Sequence, residues 1–142
     1  MKKLSGKKAT LVVNVASNDA LTALEYLGLV NLQKDYEKEG LKVIAYPCNQ
    51  FGGSEPGTNK EIKQRLKELD VNFTVMDKCE VNGDKANPAY EYLRDNSVLR
   101  GADIKGNFAK FLVNSKGDVV AYYRPSRRFE TLIKDIDTLV EA

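Results

Sequence analysis

Thiol chemistry in this chain of 142 residues depends on two cysteines, Cys48 and Cys79, and the sequence contains no histidine. The usual neutral-pH base is therefore absent, which excludes serine or cysteine triads of the histidine type and argues against a zinc site. Two cysteines are also too few for a disulfide framework. Cys48 ends a predicted strand and is interpreted as a small buried hydrophobe, whereas Cys79 lies between a strand and a turn and is expected to be partly exposed. Neither is predicted at a helix N-terminus, so no local feature predicts a low-pKa thiolate at either position.

The charged residues point to no nucleic-acid or membrane partner. Lysine and arginine number 22 and aspartate and glutamate 20, a net charge of +2 with both signs interspersed, whereas nucleic-acid binding needs a clustered basic face. Arg124, Arg127 and Arg128 could bind an anion, although a solvated basic surface is the simpler interpretation. No apolar run approaches a membrane span, and the basic start lacks a signal-peptide core, so we expect a cytoplasmic protein with one domain over residues 1–142. No cofactor or metal site is indicated.

Three apolar runs, at residues 9–16, 41–46 and 71–76, predict strands, of which the third is shorter than the first. These strands would position the two cysteines. A helix follows the first strand, with candidate N-caps at Ser17, Asn18 and Asp19 and a C-terminal glycine at Gly40. A capping-box pattern at residues 58–61 opens a second helix.

The second half of the chain completes an α/β pattern. Asn87 and Pro88 predict the start of a short third helix. Residues 108–114 and 119–123 flank a Ser-Lys-Gly-Asp turn and predict a β-hairpin. Apolar residues recur at helical spacing from Phe129 and predict an amphipathic last helix. The order β-α-β-α-β-α-β-β-α therefore predicts a central mixed sheet flanked by helices on both faces.

Four segments, in order and at compatible spacings, carry a specific resemblance. They read Leu-Val-Val-Asn-Val-Ala-Ser from residue 11, Pro-Cys-Asn-Gln-Phe-Gly-Gly from 47, Val-Asn-Gly-Asp-Lys-Ala-Asn-Pro from 81 and Asn-Phe-Ala-Lys-Phe-Leu-Val from 107. From about Gly6 onward the chain resembles the glutathione peroxidase family. The resemblance implies a thioredoxin-like fold of the glutathione peroxidase type. We expect it to lack that family's N-terminal hairpin, because the chain begins just before the first core strand.

The resemblance also implies where the family's catalytic residues would lie. The family reduces hydroperoxides with a cysteine or selenocysteine at the N-terminus of the first helix, together with a glutamine, a tryptophan and an asparagine. The nucleophile position is Asp19 in this chain, the glutamine position is Ser54, and the tryptophan position is Gly106. The asparagine is retained as Asn107, and the family's resolving cysteine, where there is one, would lie near Lys67 and is missing.

These replacements change the chemistry that the site can perform. An aspartate gains from a helix N-terminus but has no accessible oxidised state, so a helix N-cap or first-turn acid is the simpler interpretation of Asp19. Ser54 could donate a hydrogen bond with shorter reach than glutamine, and Gly106 should leave a cleft or let its neighbours collapse into it. Asn107 is either a remaining polar group of the site or a strand-edge hydrogen-bonding residue.

Three functions remain open from the sequence. The first is a glutathione-peroxidase-like protein with little or no thiol peroxidase activity, and the second is an active hydroperoxide reductase that uses Cys79 or Cys48. The third is a natural or engineered scaffold that binds a small ligand in a cleft beside Asp19. By resemblance, the partners would be a hydroperoxide and glutathione or thioredoxin. A monomer is expected, because no oligomerisation loop is evident before Asn107.

Overall fold

Five strands form a mixed sheet in the computed structural model, which describes residues 7–125 and 127–141. The strands are β1 (Ala9–Val15), β2 (Leu41–Pro47), β3 (Thr74–Val75), β4 (Lys110–Asn114) and β5 (Val119–Tyr123). Their order across the sheet is β3-β2-β1-β4-β5. β1 pairs in parallel with β2 and β2 with β3, whereas β4 is antiparallel to both β1 and β5. The predicted parallel unit followed by a terminal hairpin is confirmed.

Among the described residues four α-helices flank the sheet, and the starts of two of them follow from local sequence signals. They are α1 (Thr22–Tyr36), α2 (Asn59–Glu68), α3 (Pro88–Asp95) and α4 (Phe129–Glu141). Thr58 Oγ1 accepts from the Glu61 N–H (3.2 Å), and the Glu61 carboxylate accepts from the Thr58 N–H (3.0 Å), which is the predicted capping box of α2. The Asn87 side chain caps α3 by accepting from the Ala89 N–H (2.9 Å). None of the helices described here is long and apolar enough to cross a membrane.

The predicted N-caps of α1 are wrong. The N-cap residue is Leu21, and no side chain caps it. The reason lies in Thr22, whose hydroxyl donates to the Ala16 carbonyl (2.9 Å) and accepts from the Asp19 N–H (2.9 Å). These two bonds hold the residues before α1 in a turn, so the helix begins later than the cap pattern predicts.

β3 and β4 are each shorter than predicted by two or more residues. The Val71 N–H bonds to the Leu66 carbonyl (3.3 Å), so this residue completes the end of α2 and leaves Thr74–Val75 as the whole of β3. Phe108 has a φ of +67°, which lies outside strand conformation, and β4 therefore begins at Lys110.

The sheet buries a hydrophobic cluster on each face. Successive strand residues face opposite sides, and Leu11 and Leu112 accordingly join a cluster with residues of α1, α2 and α4. Val12 and Phe111 join the cluster that contains residues of α3. The carboxyl ends of β1 and β2 and the start of the antiparallel β4 meet at one edge of the sheet, which is where the predicted site residues come together.

Candidate active site

Three of the four predicted site residues are joined by hydrogen bonds at this edge. Asn107 Nδ2 donates to Ser54 Oγ (2.8 Å) and to Asp19 Oδ2 (3.1 Å). Ser54 Oγ in turn donates to the Phe51 carbonyl (2.8 Å). Ser54 and Asn107 are buried, with 8% and 7% of their surface exposed, and Asp19 is half-buried. Ser54 therefore reaches Asn107 in spite of its short side chain, and we call these three residues the Asn107 cluster.

Asp19 accepts hydrogen bonds on both carboxylate oxygens. Oδ1 accepts from the Leu21 N–H (2.8 Å), and Oδ2 accepts from Asn107. Asp19 lies three residues before Thr22, the first residue of α1, so its predicted role as helix N-cap or first-turn acid is wrong. Its side chain caps the preceding turn instead.

Gly106 lies beside the Asn107 cluster with its backbone in use. Its carbonyl accepts from Asn14 Nδ2 (3.0 Å). A Cβ added to Gly106 would lie 3.4 Å from Pro125 Cγ. Of the two expectations for this position, the structure favours the one in which neighbours close in, because Pro125 stands next to the place where a side chain would begin. Asn107 Oδ1 is buried without a hydrogen-bond partner among the described residues.

The two cysteines lie outside the Asn107 cluster. Cys48 is fully buried and Cys79 is half-buried, as predicted. Burial raises the pKa of the Cys48 thiol, and burial together with the neighbouring Cys48 raises the pKa of Cys79 to about 12. Both thiols are therefore protonated at neutral pH, which makes them poor nucleophiles.

An open pocket of about 610 Å³ gives solvent access to Cys79. We call it the Cys79 pocket, and its lining residues are Asn49, Gln50, Lys78, Cys79, Glu80, Lys85, Ala86, Asn87 and Pro88. Among the residues that the structure describes, no three cysteine or acidic side chains group closely enough to hold a metal ion.

The three arginines are exposed, as the simpler interpretation predicts. The Arg127 N–H donates to the Arg124 carbonyl (3.0 Å), and an Arg128 nitrogen lies 4.0 Å from the Glu130 carboxylate. Exposed pairs of this kind contribute little to stability. Nothing in this geometry indicates an anion site.

A buried ion pair that sequence reasoning missed lies close to Asp19. Lys110 has no exposed surface, and its Nζ donates to the Glu25 carboxylate and to the Phe108 carbonyl (2.8 Å). The Phe129 ring covers it, with its centroid 5.1 Å from Nζ. Burial raises the pKa of Glu25, as does the nearby Asp19, and burial lowers the pKa of Lys110. The signal in the sequence was a lysine inside the apolar run of β4.

Glu55 is a second buried carboxyl that the sequence did not reveal. Its Oε2 accepts from the Ser17 N–H (3.2 Å), its own N–H donates to Asn49 Oδ1 (2.8 Å), and its carbonyl accepts from Lys78 Nζ (3.0 Å). Burial raises the pKa of its carboxyl. Glu55 thus ties the segment after β1 to the loop after β2, which supports both Asp19 and Ser54.

Comparisons with known proteins find the same family that the four sequence segments resemble. The glutathione peroxidase family model matches residues 1–94. The phospholipid hydroperoxide glutathione peroxidase 1, chloroplastic, of Arabidopsis thaliana is 42% identical over all of this chain and 61% of its own length. A Citrus sinensis protein named a probable phospholipid hydroperoxide glutathione peroxidase is 43% identical over 94% of this chain and 81% of its own length. The chain thus spans less than two thirds of several of the curated relatives it matches.

Two solved structures share the fold of this chain. T. cruzi GPX1 has a TM-score of 0.78 and 31% identity, over 100% of this chain and 87% of that chain. A thioredoxin family thiol:disulfide interchange protein from Chlorobium tepidum has a TM-score of 0.67 and 19% identity, over 98% and 83%. The second likeness shows the fold alone, which is thioredoxin-like as predicted.

Proposed function

Because the chain belongs to the glutathione peroxidase family but carries Asp19 at the position of the family nucleophile, we propose that it does not reduce hydroperoxides at this site. The observation that carries the proposal is the Asn107 cluster, in which a carboxylate takes the donor that would otherwise serve a thiolate. Peroxide reduction needs a sulfur or selenium that can become oxidised and be reduced again. A carboxylate offers no such cycle.

The Asn107 cluster acts instead as a structural clamp in this proposal. The turn before α1, the loop after β2 and the segment before β4 each contribute one member, and Asn107 donates to the other two. The N–H of Asn18 adds a bond to the Ser54 carbonyl (3.0 Å). The clamp holds the loops of the family site in place while the reacting atom is absent.

A second candidate function, a thiol-dependent hydroperoxide reductase, is favoured by the Cys79 pocket alone. The pocket opens Cys79 to solvent, with Lys78 and Lys85 among its lining residues. The raised pKa of Cys79 speaks against rapid attack on peroxide. Cys48 is less accessible still, since it has no exposed surface.

A coupled turnover assay separates the two candidates. Purified protein receives hydrogen peroxide or a lipid hydroperoxide, with glutathione or thioredoxin as reductant, beside a matched Cys48→Ser/Cys79→Ser double variant. We expect no turnover above the uncatalysed rate in either protein. Turnover that survives in the double variant would contradict the proposal. Turnover that the wild-type protein shows and the double variant lacks would establish the second candidate. Size-exclusion chromatography of the same sample tests the monomer that we also propose.

A further inference from the structure

Cys48 and Cys79 lie opposite each other where β2 and β3 continue beyond their last paired residues. Within the ladder Ala45 is opposite Val75, and the Ala45 carbonyl accepts the N–H of the residue that follows Val75 (2.8 Å). In the same way, the Pro47 carbonyl accepts the N–H of Cys79 (2.9 Å). One residue further along parallel chains, Cys48 therefore stands directly across from Cys79.

The two side chains also lie on the same face of the sheet. Cys48 belongs to the cluster that contains Tyr90 and Val81, and Cys79 packs against that cluster. Neighbouring strands are about 4.8 Å apart, and the Cα atoms of disulfide-bonded cysteines are usually about 4.4–6.8 Å apart. Adjacent chains and a shared face are two of the conditions that a disulfide needs, and this pair meets both.

The two sulfur atoms differ in access. Cys79 lines the Cys79 pocket, so a small reagent can reach it, whereas Cys48 is fully buried behind it. An oxidant would therefore meet Cys79 first, and the oxidised sulfur would have Cys48 as its nearest thiol. The chain contains these two cysteines alone, so a single intramolecular disulfide can form.

We propose that Cys48 and Cys79 are a reversible oxidation site that forms an intramolecular disulfide when the protein meets a hydroperoxide. Cys79 attacks the terminal peroxide oxygen, the alcohol leaves, and the sulfur becomes a sulfenic acid. Cys48 then attacks this sulfur and releases water. In sum, two thiols and one hydroperoxide give a disulfide, an alcohol and water, and a dithiol reductant restores the thiols. This site is separate from the Asn107 cluster and goes beyond the proposed loss of catalysis there.

The disulfide would form slowly, which separates a stress response from catalysis. With a thiol pKa of about 12, the lower thiolate fraction and the higher nucleophilicity of that thiolate together give a rate about a hundredfold below free cysteine near neutral pH. As pH increases toward that pKa, the rate should rise about tenfold per pH unit, because the thiolate fraction rises by the same factor.

The test uses the intact reduced protein and two oxidants, hydrogen peroxide and diamide. After each exposure, the remaining thiols are blocked with N-ethylmaleimide under denaturing conditions, and the protein is weighed by intact mass spectrometry. We expect loss of both blockable thiols, loss of two hydrogen atoms, a monomer on a non-reducing gel, and full reversal by dithiothreitol. Peptide mapping of the wild-type protein should find one peptide pair joined through the two cysteines.

Matched variants assign the order of attack. In Cys48→Ser, dimedone should trap a sulfenic acid on Cys79, whereas Cys79→Ser should show no oxidation at Cys48 under the same conditions. Peroxide that drives Cys79 to sulfinic acid while Cys48 stays free would overturn the proposal, as would a disulfide between two molecules. The mapping of wild-type protein decides the matter even if a variant fails to fold. The oxidant exposure contains no reductant, so each molecule should consume one peroxide, whereas the coupled assay measures repeated turnover with reductant present.

Discussion

Asp19→Cys would place a thiol at a position where the hydrogen-bond donors for a thiolate are already present. Asn107 Nδ2 and the Leu21 N–H now donate to the carboxylate at 3.1 Å and 2.8 Å. For functional assays the variant is best made in a Cys48→Ser/Cys79→Ser background, so that any measured activity comes from the introduced thiol. The loop that holds it should be unchanged, because the Thr22 hydroxyl contacts backbone atoms of the turn.

The structure sets the size of the expected effect. A hydrogen bond to a charged group contributes about 1.5–3 kcal/mol, and one pKa unit corresponds to about 1.36 kcal/mol. The Asn107 bond should therefore lower the pKa of the introduced thiol by roughly 1–2 units, from about 8.5 to about 6.5–7.5. With the native cysteines retained, alkylation of the introduced thiol near neutral pH should exceed that of Cys79 by about two to three orders of magnitude, after allowing for the lower nucleophilicity of a low-pKa thiolate.

The assay is the pH dependence of iodoacetamide alkylation, read by mass spectrometry. The matched control is Asp19→Cys with Asn107→Ala, in which the pKa of the introduced thiol should return upward by roughly 1–2 units. An introduced thiol that titrates at about 8.5 or above in both proteins would refute the reasoning, because Asn107 would then not direct its amide at this position. Measurable hydroperoxide turnover by Asp19→Cys would further show that the scaffold retains what a thiol needs.

Three other changes test the buried charges and the packing around them. Lys110→Met should lower the free energy of unfolding by about 3–5 kcal/mol at neutral pH, because it strands Glu25 without a partner. Urea denaturation should show that the loss shrinks at lower pH and is largely recovered by adding Glu25→Leu; a double variant as unstable as the single one would contradict the pairing. In Glu55, burial raises the pKa of the folded carboxyl above its unfolded value of 4.5, so ionising it costs stability as pH rises through the folded pKa. The free energy of unfolding of Glu55→Gln, relative to wild type, should therefore increase with pH. A difference that does not change with pH would contradict the buried carboxyl. Gly28→Ala should cost about 1–3 kcal/mol despite its better helix propensity, because the new Cβ would lie 2.5 Å from the Phe129 ring; thermal melts should show relief in a Gly28→Ala/Phe129→Leu double variant.

Local patterns in the sequence predicted the elements whose determinants are local. The capping box at Thr58 needs two residues three positions apart, and the start of α3 needs Asn87 and Pro88. The convergence of Asp19, Ser54 and Asn107 was also predictable, but through the family resemblance and not through spacing, since Ser54 and Asn107 are 53 residues apart.

The features that sequence reasoning missed depend on contacts between distant segments. The start of α1 shifted because the Thr22 hydroxyl bonds to the Ala16 carbonyl, a choice that the three candidate caps did not reveal. Glu25 lies in α1, and its partner Lys110 is 85 residues away. Glu55 lies in a loop, where burial of a carboxyl has no pattern of its own. The sequence shows that such charged residues are present, but their partners are identified only in the folded structure.

The buried ion pair has a consequence for how β4 finds its place in the sheet. Lys110 lies between Phe108 and Leu112 on the face that α1 covers, and its Nζ donates to Glu25 of that helix. A slip of one residue would turn every side chain of β4 to the opposite face. The ammonium would then enter the aromatic cluster of Tyr90 and Phe111, where the structure offers it no carboxylate partner among the described contacts. The pair thus favours the correct register of β4, because a shifted strand would bury the Lys110 charge without a partner.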